Sequence, residues 1–262
     1  MPTLVTEQGI VHYETLGRGR PVLLLHGWLG SWALWRNTID VLSKEFRVYA
    51  LDFFGFGDSV DRNSNFSVNN FVESVDQFMD RLGIVKAPLV GHSMGGTVSL
   101  AAGVRFPEKI VKVIVIGSPV NGSSLNPMLK LAGYRGTARI AWINPSLLRT
   151  LIRGYGYFMA KDGRAIGNMI AEDMTKITVD SFFQSIGTLR DTDLRTSIGD
   201  LQMPVLGIYG KNDIIVDPKQ HKVLKQYAPH SQIAWFEHSG HFPMMDEPQR
   251  FHSTVIDFLK NG

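Results

Sequence analysis

A serine stands inside a glycine-rich turn, Gly91-His92-Ser93-Met94-Gly95-Gly96. The turn separates a predicted strand, Ala87 to Gly91, from a predicted helix over 94–106, which is the setting that the pattern G-x-S-x-G requires. A serine on so sharp a turn has strained backbone geometry, so its neighbours two residues away must lack side chains. The free amide groups that begin the helix favour an anion beside Ser93. Taken alone, the pentapeptide also fits a turn that only begins a helix, so a nucleophile at Ser93 needs partners.

A serine nucleophile needs a base, and the base needs an acid that orients it. Downstream of Ser93, Asp213 follows the predicted strand Val205 to Tyr209, and sites form at the carboxyl ends of strands in sheets of this type. His241 follows the last predicted strand, Ile233 to Phe236. The order Ser, Asp, His along the chain predicts a triad of Ser93, Asp213 and His241.

Three other histidines compete for the role of the base. His26 and His92 are interpreted as structural, and His92 should point away from its neighbour Ser93. His238 belongs to the end of the last predicted strand. His241 therefore remains the predicted base.

Other acids have simpler interpretations. Asp217 precedes a proline, which is a common start of a helix, so we expect Asp217 to cap that helix. Asp52 and Asp58 are expected to fix the turn Gly55-Phe56-Gly57 by hydrogen bonds. Asp213 therefore remains the predicted acid.

The elements that must position these residues alternate along the chain. Apolar runs such as Pro21 to His26 and Ile110 to Gly117 are typical of strands that are covered on both faces, as in parallel sheets. The stretch 67–82 has apolar residues at spacings of three and four, which predicts an amphipathic helix. Strands that alternate with helices predict an α/β fold, a mostly parallel twisted sheet with helices on both faces.

The alternation breaks between about Pro119 and Asp200, where the sequence shows no clear buried strand. Helical pieces are predicted near 128–142, 146–160 and 163–187. We interpret residues 119–200 as a helical insertion that forms a cap. It separates a first part of the core domain, residues 1–118, from a second part, residues 201–262.

Composition excludes several classes of protein. The 262 residues are 44% hydrophobic and 19% charged, which is typical of a globular protein. A net charge of +3 is too even for nucleic-acid binding, and the absence of cysteine excludes thiolate metal sites. The H-E-x-x-H metal motif and the phosphate loop are also absent. The first ten residues show no signal peptide, and no apolar run reaches the ~18 residues of a membrane span, so we expect a soluble cytoplasmic protein.

Four motifs occur in order along the chain: His26-Gly27-Trp28, Asp52-Phe53-Phe54-Gly55-Phe56-Gly57-Asp58-Ser59, the turn at Ser93, and Gly240-His241-Phe242-Pro243. In these motifs, and over nearly its whole length, the chain resembles an α/β-hydrolase with a serine nucleophile. The resemblance implies the α/β-hydrolase fold, a cap over the active site, and the triad of Ser93, Asp213 and His241.

The resemblance also implies an oxyanion hole made of two backbone N–H groups. One belongs to Met94, which follows the nucleophile, and the other to Trp28, which follows His26-Gly27. A serine nucleophile argues against the dehalogenases and epoxide hydrolases of this fold, which use aspartate. Related perhydrolases often carry a proline where this chain has Leu29, which weakens that alternative.

We therefore expect a hydrolase that cleaves a small-molecule carboxylic ester with an apolar acyl part through an acyl-enzyme, without a cofactor or metal. The substrate-binding residues are unknown from the sequence. A small-molecule receptor on the same fold remains an alternative. So do a hydrolase of carbon–carbon bonds next to a carbonyl and a perhydrolase.

The insertion is rich in cations. Residues 120–170 contain seven Lys or Arg and one acid, interleaved with large apolar residues. Such a pattern suits a helix lying on an anionic membrane surface, which would make residues 120–170 a weak membrane contact. In the simpler interpretation, which we favour, the apolar residues line the cap–core interface and the acyl pocket while the cations face water.

Overall fold

The computed structural model of the protein describes residues 2–62 and 65–261. Nine strands in this part of the chain form one sheet: β1 Thr3–Val5, β2 Gly9–Leu16, β3 Pro21–Leu25, β4 Arg47–Leu51, β5 Val60–Asp61, β6 Ala87–His92, β7 Ile110–Ile116, β8 Val205–Gly210 and β9 Gln232–Phe236. Their order is β1-β2-β4-β3-β6-β7-β8-β9, and β5 pairs with β2. The six strands from β4 to β9 in that order are parallel, whereas β2 is antiparallel to its neighbours. The predicted mostly parallel sheet is therefore confirmed.

Eleven α-helices occur in the described residues: α1 Arg36–Leu42, α2 Val68–Arg81, α3 Met94–Arg105, α4 Pro127–Ala132, α5 Arg135–Ala141, α6 Pro145–Gly156, α7 Gly163–Asp173, α8 Val179–Asp191, α9 Gln220–Tyr227, α10 Pro243–Asp246 and α11 Pro248–Asn261. Short 3-10 helices cover Trp32–Trp35, Gly122–Ser124 and Ile198–Asp200. The central strands β3, β6, β7 and β8 are buried over most of their length because helices pack on the sheet, which explains why their sequences are mostly apolar.

Helix α2 shows how local sequence sets the ends of an element. The Ser67 side chain accepts a hydrogen bond from the Asn70 N–H, which satisfies one free donor of the first turn. At the other end, Gly83 has a φ of +66°, a left-handed conformation that favours glycine and stops the helix. The observed helix agrees with the one predicted over 67–82.

The helical insertion contains α4 to α8, between β7 and β8. Two of its predicted helices are wrong in their extent, because each is divided in the structure. The stretch 128–142 breaks between α4 and α5, and 163–187 breaks between α7 and α8. The second break has a local cause: Thr178 and Ser181 form a capping box that starts α8 afresh.

The sheet brings the carboxyl ends of β3, β6, β8 and β9 to one edge, since these strands run parallel. The four loops that follow them carry the residues singled out in the sequence. Searching the described residues finds no helix with both the length and the hydropathy needed to cross a membrane.

Candidate active site

Ser93 lies on the turn between β6 and α3 in a strained conformation. Its φ of 51° and ψ of −117° are rare for a residue with a side chain, and persist only where the surroundings hold them. A Cβ atom on Gly91 would overlap the Gly95 carbonyl group, and one on Gly95 would overlap the carbonyl oxygen of Leu25. The close approach of these backbones explains why glycines flank the serine at both sides.

Asp213 and His241 are in direct contact. His241 Nδ1 donates a hydrogen bond of 2.7 Å to Asp213 Oδ2, and both residues are buried. The other carboxylate oxygen, Oδ1, accepts the N–H groups of Ile215 at 2.8 Å and Val216 at 3.0 Å. These bonds fix the carboxylate, which in turn fixes the proton of His241 on Nδ1 and leaves the Nε2 lone pair free to accept a proton.

Ser93 and His241 line the same cleft, whose volume is about 60 Å³. The His241 loop is held there by the insertion, because the His241 N–H donates to the Met159 carbonyl at 3.2 Å. The predicted trio is thus brought together from three loops at one edge of the sheet. Its catalytic role remains a prediction.

The two backbone groups expected to bind an oxyanion flank the serine. Trp28 lines the same cleft as Ser93, and Met94 begins α3. Neither N–H donates to an acceptor among the described residues. The arrangement can therefore offer two free donors to a negative oxygen that forms next to Ser93.

His26 holds the loop that contains Trp28. Its Nδ1 donates to the Gly27 carbonyl at 2.7 Å, and its Nε2 accepts the Phe53 N–H at 2.9 Å. Burial lowers the pKa of His26, so the neutral ring that these two bonds require is the stable form. Its contacts are those of the structural role expected from the sequence.

His92 differs from expectation. His92 is among the residues that line the cleft, and its ring packs against that of His241 instead of turning away from the site. Its Nε2 donates to the His241 carbonyl at 2.9 Å, and the two imidazole centroids are 4.6 Å apart. Burial lowers the pKa of His92 well below its usual value, so the ring is neutral beside His241. The expectation failed because a side chain next to a turn can bend towards a loop that is distant in sequence.

The acids outside the trio have separate partners. Asp52 fixes its turn as expected: Oδ2 accepts the Asp58 N–H at 3.0 Å, and Oδ1 accepts the Trp32 N–H at 2.7 Å. The Asp58 side chain does not bond the turn but pairs with Lys176 of the insertion at 2.7 Å. This corrects the expectation for Asp58, whose ion pair joins residues 118 positions apart.

Asp217 and His238 stay outside the cleft. Asp217 Oδ1 accepts the Lys219 N–H at 2.9 Å in the turn that leads into α9, which begins at Gln220, two residues later than expected. His238 is exposed, and its backbone N–H donates to Glu247 Oε1.

His12, Asp52 and Asp58 form the cluster closest to a metal-binding set in the described residues. His12 Nδ1 donates to Asp52 Oδ2 at 2.7 Å, and this bond raises the pKa of His12. Lys176 pairs with Asp58, and Asp52 is engaged by His12, so neither carboxylate is left for a cation, and we assign no ion to the cluster although His12 Nε2 has no hydrogen-bond partner in the described residues.

An apolar chamber of about 420 Å³ adjoins the cleft. The two spaces share five wall residues, which are Trp28, Leu29, Leu129, Ile152 and Met159. Helices α4, α5 and α6 of the insertion supply most of the remaining wall. The hydroxyl of Thr137, which is part of this wall, donates to the carbonyls of Leu131 and Tyr134. The sequence showed these apolar residues at helical spacing, but only the packing of three helices reveals that they enclose a space.

Comparison with known proteins identifies the family. The model of the alpha/beta hydrolase fold family matches residues 20–248. The pimeloyl-[acyl-carrier protein] methyl ester esterase of Photobacterium profundum is 29% identical over 95% of this chain and 98% of its own length.

Solved structures show the same fold. The enol-lactonase from Burkholderia xenovorans LB400 superposes with a TM-score of 0.87, at 20% identity over 99% of this chain and 100% of that one. The meta-cleavage product hydrolase from Pseudomonas fluorescens IP01 superposes with a TM-score of 0.82, at 25% identity over 98% and 97% of the two chains. The chain therefore belongs to the alpha/beta hydrolase fold family, and within it we class the chain as a carboxylic ester hydrolase.

Proposed function

We propose that the protein hydrolyses a carboxylic ester through an acyl-enzyme on Ser93. The observation that carries the proposal is the 2.7 Å bond between Asp213 and His241, on the cleft that also holds Ser93. This bond places the free lone pair of the imidazole on Nε2, where it can take the serine proton. The strained turn presents the hydroxyl at the start of α3, next to two free N–H groups.

The reaction runs in two halves. Ser93 Oγ attacks the ester carbonyl carbon as its proton passes to His241 Nε2, and the carbonyl oxygen becomes an oxyanion held by the N–H groups of Trp28 and Met94. The tetrahedral intermediate collapses, and His241 gives the proton to the departing alcohol. Water then attacks the acyl-enzyme in the same way, which releases the acid and restores Ser93.

The cleft and the chamber suggest where the two parts of an ester bind. The cleft of about 60 Å³ is much smaller than the adjoining chamber and therefore suits a small leaving alcohol. The chamber of about 420 Å³ suits an unbranched apolar acyl chain. We propose that methyl and ethyl esters of such acids are better substrates than esters of bulky alcohols.

This division favours ester hydrolysis over carbon–carbon bond hydrolysis. A substrate cleaved next to a carbonyl carries further oxygen atoms that need hydrogen-bonding partners, and a wall that leaves them unpaired rejects such a substrate. The exposed chamber wall is almost wholly apolar: of its two hydroxyl-bearing side chains, Thr137 and Tyr155, the first already has its hydroxyl engaged.

The outer face of the insertion suggests a carrier for the acyl chain. Nine of the fifteen exposed large apolar side chains in the described residues lie between 128 and 158. Four of them, Met128, Leu131, Ile140 and Leu151, also line the chamber, so the exposed patch reaches its mouth. Large exposed apolar patches mark interaction sites.

Cations that have no ion-pair partner in the described residues lie on the same helices as this patch. The ion pairs within the described part of the insertion use Lys176, Arg190 and Arg195, and none uses the arginines of α5 and α6. Charge complementarity therefore favours an acidic partner. The Photobacterium relative is named for a substrate attached to an acyl carrier protein. We propose that this chain likewise takes an acyl ester from an acidic carrier protein in the cytoplasm.

A fluorophosphonate probe and a panel of p-nitrophenyl esters from acetate to palmitate test the hydrolase. We expect Ser93 to be labelled and the esters to be turned over, with methyl esters of the same acids hydrolysed faster than tert-butyl esters. Labelling without turnover of any ester would instead favour a receptor, and the absence of both would refute the nucleophile.

The double variant Arg149→Glu with Arg153→Glu tests docking of the carrier. The substrate is an acyl chain that is attached to an acyl carrier protein at one end and carries a methyl ester at the other. We expect the KM for this substrate to rise about tenfold or more at low salt, with p-nitrophenyl butyrate turnover unchanged. The control with the same change of net charge is Lys86→Glu with Lys222→Glu, two exposed cations outside the insertion. An unchanged KM would refute carrier docking, and sedimentation with anionic but not zwitterionic vesicles would favour the membrane surface.

A further inference from the structure

Two side-chain hydrogen bonds tie the loop from Gly27 to Ser31 to the helical insertion. Trp28 Nε1 donates to the Phe182 carbonyl of α8 at 3.0 Å. Ser31 Oγ donates to Asp173 Oδ1, at the end of α7, at 2.8 Å. The bonds join residues 154 and 142 positions apart, so both require the insertion to lie on the core.

The loop between these two bonds is strained. Leu29 has a φ of 60°, and only Ser93 shares a positive φ among the non-glycine residues that the structure describes. Such a conformation persists only where surrounding contacts hold it. Within the loop, Gly30 N–H donates to the Gly27 carbonyl at 3.2 Å, and towards the core, Trp32 N–H donates to Asp52 Oδ1 at 2.7 Å. Towards the insertion, the loop is held by the bonds of Trp28 and Ser31.

The Ser31–Asp173 bond is buried and has no solvent to replace it. Ser31 is 3% exposed and Asp173 is 6% exposed. Ser31 Oγ also accepts the Ala33 N–H at 3.2 Å, so the hydroxyl links Asp173 to the 3-10 helix that follows the loop. Removal of either side chain would leave a buried polar group of its partner unpaired, and the loop could move to recover a bond.

We propose that Ser31 and Asp173 are positioning residues, through which contact between the helical insertion and the core sets the Trp28 N–H in place for the oxyanion. The inference rests on the proposed function, since it concerns an oxyanion formed at Ser93. An oxyanion-hole donor works only when it lies about 2.7–3.1 Å from the oxygen. A loop that relaxes by a fraction of that distance weakens the transition state more than the bound ester.

The surroundings of Asp173 define the conservative variant. Charged groups near it are Asp52 from the core, Glu172 and Lys176 from its own segment, and Asp58, which pairs with Lys176. Burial raises the pKa of Asp173 to about 7, and its Oδ2 has no partner in the described residues. Since Ser31 donates to Oδ1, an asparagine can keep this bond, whereas an alanine cannot.

Steady-state kinetics with p-nitrophenyl butyrate test the proposal. We expect Ser31→Ala and Asp173→Ala each to lower kcat about tenfold or more, while KM changes less than about twofold. Asp173→Asn should restore kcat to within about threefold of the wild type at pH 7. Thr192→Ala is the control, because this half-buried hydroxyl of the insertion donates only to the Thr188 carbonyl among the described residues, and its kcat should not change.

The affinity for an alkyl trifluoromethyl ketone measures binding of the oxyanion separately from turnover. Ser93 Oγ bonds to the ketone carbon, the serine proton passes to His241, and the ketone oxygen takes the negative charge. The inhibition constant in Ser31→Ala should rise by the same factor as kcat/KM falls, while that of the alkyl alcohol of equal length stays within about twofold.

Two results would overturn the inference. The first is a kcat within about twofold of the wild type in both alanine variants, and the second is a loss in Asp173→Asn as large as that in Asp173→Ala. If the wild type fails to hydrolyse any ester, the proposed function fails instead. The affinity of the variants for the ketone would still decide whether the loop depends on Ser31 and Asp173. Thermal unfolding would first show that these variants are folded.

Discussion

Asp213→Asn should reduce kcat by about four orders of magnitude without unfolding the protein. The reason lies in the two oxygens of the carboxylate. Oδ1 accepts the N–H groups of Ile215 and Val216, so the amide oxygen of an asparagine must take that position. The amide NH₂ group then faces His241 Nδ1, which at present donates to Oδ2. His241 would have to accept there and carry its proton on Nε2, where it could not act as a base.

A loss of about 10⁴ in kcat corresponds to about 5.5 kcal/mol of transition-state stabilisation, at 1.36 kcal/mol for each factor of ten. The assay is steady-state hydrolysis of p-nitrophenyl butyrate beside thermal unfolding. Asp213→Ala should lose stability as well as activity, because it also leaves the N–H groups of Ile215 and Val216 without their acceptor, at about 1–3 kcal/mol each. Comparison with Asp213→Asn therefore separates the effect on catalysis from the effect on stability.

Asp217→Asn is the matched control for Asp213→Asn. Asp217 is exposed and its side chain accepts only the Lys219 N–H among the described residues, so its variant should keep the activity of the wild type. More than about a tenth of the wild-type kcat in folded Asp213→Asn would refute the argument from the tautomer of His241.

Three further expectations can be measured on single variants. Ser93→Ala should leave less than about a tenth of the ester turnover in a folded protein, and more would refute the nucleophile. Gly117→Ala should lower kcat about tenfold or more, because its Cβ would lie 3.1 Å from His241 Nδ1 and Gly117 has a φ of +54°. Its control is Gly83→Ala, which has a similar φ of +66° but open space around it, and which should therefore lower stability without lowering kcat. In urea unfolding, the wild type should lose about 2 kcal/mol relative to Asp173→Asn between pH 5.5 and 8. A pKa raised to about 7 means that the folded state resists ionisation, so stability falls as pH rises through that range; equal curves would contradict the burial of a charge there.

Local pattern was enough to predict much of this protein. Strands buried on both faces need apolar runs, so β3 and most of β7 are visible in the sequence as Val22–Leu25 and Val113–Ile116. The strained turn at Ser93 needs glycines at fixed offsets, and the backbone overlaps that a side chain would cause show why. The α/β order followed from such elements because each depends on residues close together in the chain.

Contacts between distant residues decided the rest. The direction of His92, the ion pair of Asp58 with Lys176 and the bond of Ser31 with Asp173 join positions 149, 118 and 142 apart. No periodicity or motif marks such a partner, because the partner is chosen by how the insertion packs on the core. The chamber likewise exists only where three short helices meet. The sequence alone therefore determined which groups could do chemistry, and the tertiary structure decided which space they face and which loops hold them.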